Sequence, residues 1–393
     1  MKAFSRLALL AAAVAPLIVL AGGARAQLIL SGNDEKQNWD ASGKQVNSPP
    51  GKDTVSIIDI SNRTKPRIIA NLPLMNTVVG PPTNLAITPD QKLALVANSL
   101  DWVKDGESWK GAPDNKLYII DLTASPPKHI DTVELGKQPS GMAINPKGDL
   151  ALVANRADGT ISVLSIRGRD VVVLDTVTVG TGADQVSAVA ITPDGKRALA
   201  VKSSANKVAL LSIDGQKVTY DKSDLPAGIF PHNIAVTPDG KLALTSNTGS
   251  GGSSDGSADT VSVIDLETSP PRVIDHVTVG DAPEGLAISP KGDLAVSIEA
   301  RGSNAPTSAF YYRPAGAATA LKIDGKKVNN VGEIRVGALP QGVAFGPDGN
   351  YVYVANFIDQ DLWVLRVDGT KLTDTVQRVK LSCHPGSMRS GPQ

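Results

Sequence analysis

Four ionisable side chains stand out because they occupy places that other copies of one phrase fill with small or amide residues. The phrase is Pro, polar, small, aliphatic, Ala, aliphatic, small, Pro, then Asp or Lys. It first reads Pro82-Thr83-Asn84-Leu85-Ala86-Ile87-Thr88-Pro89-Asp90, and it ends again at Pro146, Pro193, Pro238, Pro290 and Pro347. Six residues before the closing proline stand Thr83, Ser140, Ser187, His232, Glu284 and Gln341. Nine residues after it stand Asn98, Asn155, Lys202, Asn247, Glu299 and Asn356. The departures are His232, Glu284, Lys202 and Glu299, from three consecutive copies. A histidine, two carboxylates and a lysine converging on one sector would support acid–base work. In that reading His232 is the general acid or base and Glu299 assists it. Glu284, Lys202 and Gln341 line the place where a ligand binds. The bland alternative is a hydrated channel lined by polar residues.

A second group sits between repeats. Segment 99–115 carries Trp102 and Trp109, and segment 300–317 carries Arg301, Tyr311, Tyr312 and Arg313. Exposed Trp, Tyr and Arg together have the composition of a recognition hot spot. Segment 248–259 is Gly/Ser-rich, with Asp255 and Asp259, and reads as flexible, a weak cation site being the alternative. Cys383-His384, with Met388 nearby, is the one hint of metal chemistry. A blue-copper site needs two histidines beside the cysteine, and His129, His232 and His276 fall in other repeats. Neighbours on an extended segment also point apart. No cofactor is therefore expected, and Cys383 reads as a free thiol. Phosphate loops, nucleophile elbows and His-Glu-x-x-His are absent.

The elements that must position these residues follow from the repeat. Periods of roughly 45–57 residues mark propellers and solenoids. Each phrase is a first strand, followed by a second (Leu93–Asn98, Leu150–Asn155, Tyr351–Asn356), an alternating third (Thr160–Ile166, Thr260–Leu266), and a fourth ending near Val-Gly. Four short strands with Asp-Gly turns and no helical period describe a propeller blade. The chain enters at a second strand, Leu28–Asn33, and ends on a seventh first strand that starts at Pro385. The expected fold is all-β: a seven-bladed β-propeller of four antiparallel strands per blade, one blade closed by N- and C-terminal segments.

Composition agrees. The 393 residues are 41% hydrophobic and 20% charged with no net charge, which is globular and offers no basic excess for nucleic acid. One cysteine excludes a disulfide framework and a Cys-rich zinc site. Aromatics are only 4%, as expected when sheets pack through Val, Ile, Leu and Ala. Seven rings (Trp39, Trp102, Trp109, Phe310, Tyr311, Tyr312, Phe357) fall in second-to-third connections and are expected to share one face. Residues 1–26 read as a cleaved signal peptide, with Lys2 and Arg6, an apolar run Leu7–Leu20, and Ala24-Arg25-Ala26. The expectation is one domain, 27–393, exported to the periplasm or secreted, with no membrane span after cleavage.

Tyr351-Val352-Tyr353-Val354-Ala355-Asn356, Leu150–Asn155, Val261–Asp265 and Ser140–Asn145 resemble the YVTN-type repeat of exported β-propellers. This likeness covers essentially the whole chain after residue 26 and implies fold rather than function. A weaker likeness is to lactonase-type seven-bladed propellers. Their pattern implies a Pro-His opening one blade, matched by Pro231-His232, and a Glu matched by Glu299. An expected arginine is replaced by Glu284, with Arg301 as the substitute. The resemblance to propellers that scaffold periplasmic amine dehydrogenases implies an accessory role. The leading expectation is an exported module binding a periplasmic protein or small-molecule ligand on its loop-rich face. The alternatives are a lactonase-type hydrolase or lyase using His232 and Glu299, and a metal-handling protein.

Overall fold

The computed structural model describes residues 27–40 and 42–391, and the expected signal segment lies outside them. The described strands form seven four-stranded antiparallel sheets, each built from consecutive strands save one. That one, blade one, pairs His384–Ser390 with Leu28–Asp34, then Thr54–Asp59 and Arg67–Leu72. Register runs from Ile29 opposite Ser390 to Asp34 opposite His384. The ring thus has no unpaired inner strand, which removes an open edge. Blades two to seven open with first strands Leu85–Ile87, Pro139–Ile144, Val186–Ile191, Pro231–Val236, Pro283–Ile288 and Pro340–Phe345.

The repeated phrase encodes the turn that follows each first strand. Pro193 and Asp194 occupy the two central positions of a turn in which Gly195 N–H donates to Thr192 O at 2.8 Å. Pro supplies the fixed φ there, and Gly195 takes φ +68°, which side chains disfavour. The Thr192 hydroxyl closes the turn on Asp194 Oδ1 at 2.5 Å. Thr237 repeats the bond with Asp239, and Thr88 with Asp90.

Second strands are buried along almost their whole length because both their faces are covered. Leu150, Leu152 and Ala154 pack toward blade four, while Ala151 and Val153 pack toward blade two. One aliphatic cluster fills each of the seven blade interfaces. Each fully buried Val, Leu or Ile contributes about 1.5–3 kcal/mol, so the core needs few rings.

An eighth cluster lies off the blades. Val78 packs with Ala282, Ala300, Leu339 and Phe357 from blades six and seven. Val78 belongs to the connection between the last strand of blade one and the first of blade two. This connection crosses the channel mouth as a plug. Buried Lys36 anchors its root, bonded to Asp34, Asp53 and the Asn76 carbonyl. Asp34 Oδ2 also accepts the Val78 N–H at 2.9 Å.

Candidate functional site

His232, Glu284 and Gln341 open the first strands of blades five, six and seven, so of the four residues expected to converge only His232 and Glu284 stand on neighbouring first strands. Glu284 is hydrogen-bonded to Gln341, and burial pushes its carboxyl up to about 7. His232 stacks on Phe230 at 6.1 Å between ring centroids and reaches across the mouth to the backbone of Gly80. Its Nδ1 has no protein partner among the described residues. Burial, and secondarily the Arg156 cation, pull the imidazole down to about 3. It is therefore neutral at physiological pH and a weak base.

Lys202 and Glu299 do not join this sector. Their position, nine after the repeat proline, turns into its own blade. Asn155 Nδ2 shows the common pattern, donating to Thr160 Oγ1 and Ser162 Oγ on the third strand, both at 2.9 Å. Lys202 Nζ instead pairs with Asp224 Oδ2 at 3.0 Å on the fourth strand. Glu299 Oε2 accepts from Thr319 Oγ1 at 3.0 Å on the third. Its Oε1 has no described partner, and burial pushes the carboxyl up to about 8. The expectation that Glu299 assists His232 fails on this geometry.

The residue that sequence reasoning missed lies one step further on. Strand alternation turns position ten, not nine, toward the neighbouring first strand. Around the ring it holds Asp34, Ser99, Arg156, Ser203, Thr248, Ala300 and Phe357. Ser99 Oγ meets Ser140 Oγ at 3.2 Å, and Thr248 Oγ1 donates to Pro283 O at 3.0 Å. Arg156 Nη2 donates to Gln185 Oε1 at 2.6 Å and has no carboxylate partner among the described residues. A Cβ added at Gly80 would lie 3.8 Å from its Nη1. Arg156, not Arg301, is thus the cation at the channel mouth. Arg301 turns outward and pairs with Glu333 at 2.8 Å.

The mouth itself is filled. Asn76, Thr77 and Val78 are buried, and the plug seals His232 from the open face. Its sequence, Leu74-Met75-Asn76-Thr77-Val78-Val79-Gly80, has no counterpart in other repeats. Its unusual apolarity for a loop was the available signal.

An open groove lies instead between blades five and six. It encloses about 310 Å³ and is lined by Arg301, Arg313, Asp281, Glu333, Phe310 and Tyr311 among others. Phe310 is 85% exposed and meets Tyr311 edge-on. The two long connections that wall it hold each other, with Gly302 N–H donating to Ser254 Oγ at 2.8 Å. Asp281 accepts the N–H groups of Asp255 and Gly256, so segment 248–259 is bound down rather than loose. Burial pushes Asp259 up to about 6. Tyr312 lies beside the groove without lining it.

The other long connections share this face. A Cβ on Gly43 would strike Pro306, and Asn47 Nδ2 donates to Trp109 O at 2.9 Å. Segment 99–115 is an extended hairpin, Leu93–Asp105 paired with Ser108–Asp121, rather than a loop. The rings on this face are not all displayed. Trp102 is buried on its own hairpin against Gly111, and Phe357 is buried between Trp39 and His384. Trp102 is corrected from a contact residue to a core residue.

Cys383 Sγ donates to Lys52 O at 3.2 Å. The two ring nitrogens of His384 face Phe357 O at 2.8 Å and Gln360 Nε2 at 2.8 Å. Both residues thus tie the closing strand to its surroundings.

No family model matches the chain, and no curated protein matches it. Solved structures share its fold. A Desulfotomaculum acetoxidans protein of unknown function is 15% identical with a TM-score of 0.68, covering 94% of this chain and 100% of its own. A candidate 6-phosphogluconolactonase of Bacteroides fragilis is 18% identical with a TM-score of 0.68, covering 93% and 98%. The periplasmic gluconolactonase of Pseudomonas aeruginosa is 18% identical with a TM-score of 0.67, covering 93% and 99%. Among the described residues, no helix is long and apolar enough to cross a membrane.

Proposed function

We propose that the protein is an exported propeller that binds a small polyhydroxylated acid in the groove between blades five and six. The carrying observation is Phe310, a large apolar ring left 85% exposed at the rim of a groove lined by two arginines. Ring faces suit the C–H surface of a sugar, and a guanidinium suits its carboxylate. Among the described residues Arg313 bonds only to the neighbouring Tyr312 carbonyl, which leaves most of its fork available. Calorimetric titration with sugar acids and their neutral sugars tests this. Binding should be lost in the Phe310→Ala, Arg313→Ala double variant; undiminished affinity in that variant refutes it.

A second reading is lactone hydrolysis at the channel mouth. It is supported by Glu284 being held near 7, where a carboxyl exchanges protons effectively, and by likeness in fold to a periplasmic gluconolactonase. Ionised Glu284 would take a proton from water as the water oxygen adds to the lactone carbonyl. Collapse of the adduct breaks the ring C–O bond, and the departing oxygen receives the proton from Glu284. Arg156 would stabilise the oxyanion, and neutral His232 would hold the substrate. The plug over residues 76–80 must swing aside. A lactone panel with wild type and Glu284→Gln tests it: no turnover by wild type, or equal turnover by the variant, removes it.

A further inference from the structure

The far end of the channel, among the repeat prolines, holds a cavity of about 400 Å³. Its walls are mainly aliphatic, with Ile87, Ile144, Ile191, Val236 and small alanines of the first strands, while Asn145, Ser390 and Arg389 add polar atoms. Three residues before the repeat proline, six blades carry Ala86, Ala143, Ala190, Ala235, Ala287 and Ala344. Blade one carries Arg389 at that place. Four of these alanines, Ala86, Ala143, Ala190 and Ala235, line the cavity and leave room there, and the single arginine fills part of it.

Arg389 has no carboxylate partner among the described residues. Its one hydrogen bond is a long one, Nη2 to the Met142 carbonyl at 3.4 Å. Met142 belongs to blade three, two blades away from Arg389, so the guanidinium stretches across the lumen. Its desolvation is uncompensated, and burial pulls it down to about 10. A half-buried cation without a counter-charge among the described residues is costly, and a planar fork of donors is the protein's usual receptor for a carboxylate.

We propose that this cavity binds an aliphatic monocarboxylate, its head on Arg389 and its tail along the alanine and isoleucine walls. One guanidinium with no second cation suits a single negative charge. The isoleucine, valine and alanine walls favour an aliphatic chain over a sugar, so this ligand differs from that of the loop-face groove. The volume lies within the roughly 300–1,000 Å³ of small-molecule pockets.

Octanoate, octanol and acetate separate head from tail in calorimetric titrations of wild type, Arg389→Ala, Ala235→Leu and Phe310→Ala. Arg389→Ala supplies the residue that six blades already use, so it should fold. Wild type should bind octanoate at least tenfold more tightly than octanol or acetate. Arg389→Ala should lose that preference, Ala235→Leu should weaken octanoate by occupying its space, and Phe310→Ala should change nothing. Absence of octanoate binding by wild type, equal binding by Arg389→Ala, or indifference to Ala235→Leu each overturns the proposal.

Discussion

Replacing Glu299 by Gln should stabilise the protein in alkali and do little in acid. Glu299 is wholly buried, one oxygen accepts from Thr319, and the other is unpartnered. Burial raises its carboxyl from 4.5 to about 8. For an acid raised on folding, the protonated form favours the native state. That stability is present below pH 4.5 and is lost as pH climbs through about 8. At about 1.4 kcal/mol per pH decade, the loss is roughly 5 kcal/mol at pH 8.5 and roughly 1 kcal/mol at pH 5. Gln stays neutral and keeps an acceptor for Thr319, so the variant avoids the loss. Unfolding entropy of about 2.1 cal/mol/K per residue gives roughly 0.8 kcal/mol/K for a chain of this size. The variant should therefore melt about 6 °C above wild type at pH 8.5 and about 1 °C above it at pH 5. Scanning calorimetry at the two pH values reads the difference. An equal gain at both, or a lower melting temperature at pH 8.5, would mean that Glu299 is not held as a buried neutral acid.

Lys36→Met should cost about 3–5 kcal/mol in denaturant midpoint experiments, because it strands the Asp34 and Asp53 carboxylates without their cation. Val78→Ala should cost about 1–2 kcal/mol and loosen the plug; peptide mapping after diethylpyrocarbonate should then find His232 modified, whereas wild type leaves it unmodified. Phe310→Ser should leave the unfolding free energy from denaturant titration within about 0.5 kcal/mol of wild type, since the ring is exposed. Deleting His384–Ser390 leaves the inner edge of Leu28–Asp34 unpaired, and circular dichroism should show a broad, non-cooperative melt.

The blades were legible because they repeat. Aligned prolines located every first strand, and the incomplete copies at the two ends located the closed blade. The short connections at 156–159, 203–206 and 357–360 are tight turns. What failed was direction. A strand's last residue and the one after it face opposite ways, so the ring of Asn98, Asn155 and Asn356 holds blades together. The ring one step later, with Arg156, meets the next blade. Lys202 and Glu299 were mistaken for mouth residues on that account. The plug was invisible for a different reason: Asn76–Gly80 has no homologous copy within the chain, and its partners are scattered over blades one, three, five, six and seven. Trp102 was misplaced because a long hairpin can bury its own ring, which loop composition does not reveal.

The strand pair that closes blade one also sets a timetable. Leu28–Asp34 leaves the ribosome with the first blade, but its inner partner, His384–Ser390, emerges only after the strands of the seventh. Until then blade one has three strands, and its contact with blade seven through Ile29, Tyr353 and Met388 cannot form. The circle therefore closes only once that strand has emerged, and every shorter length of chain is an open arc.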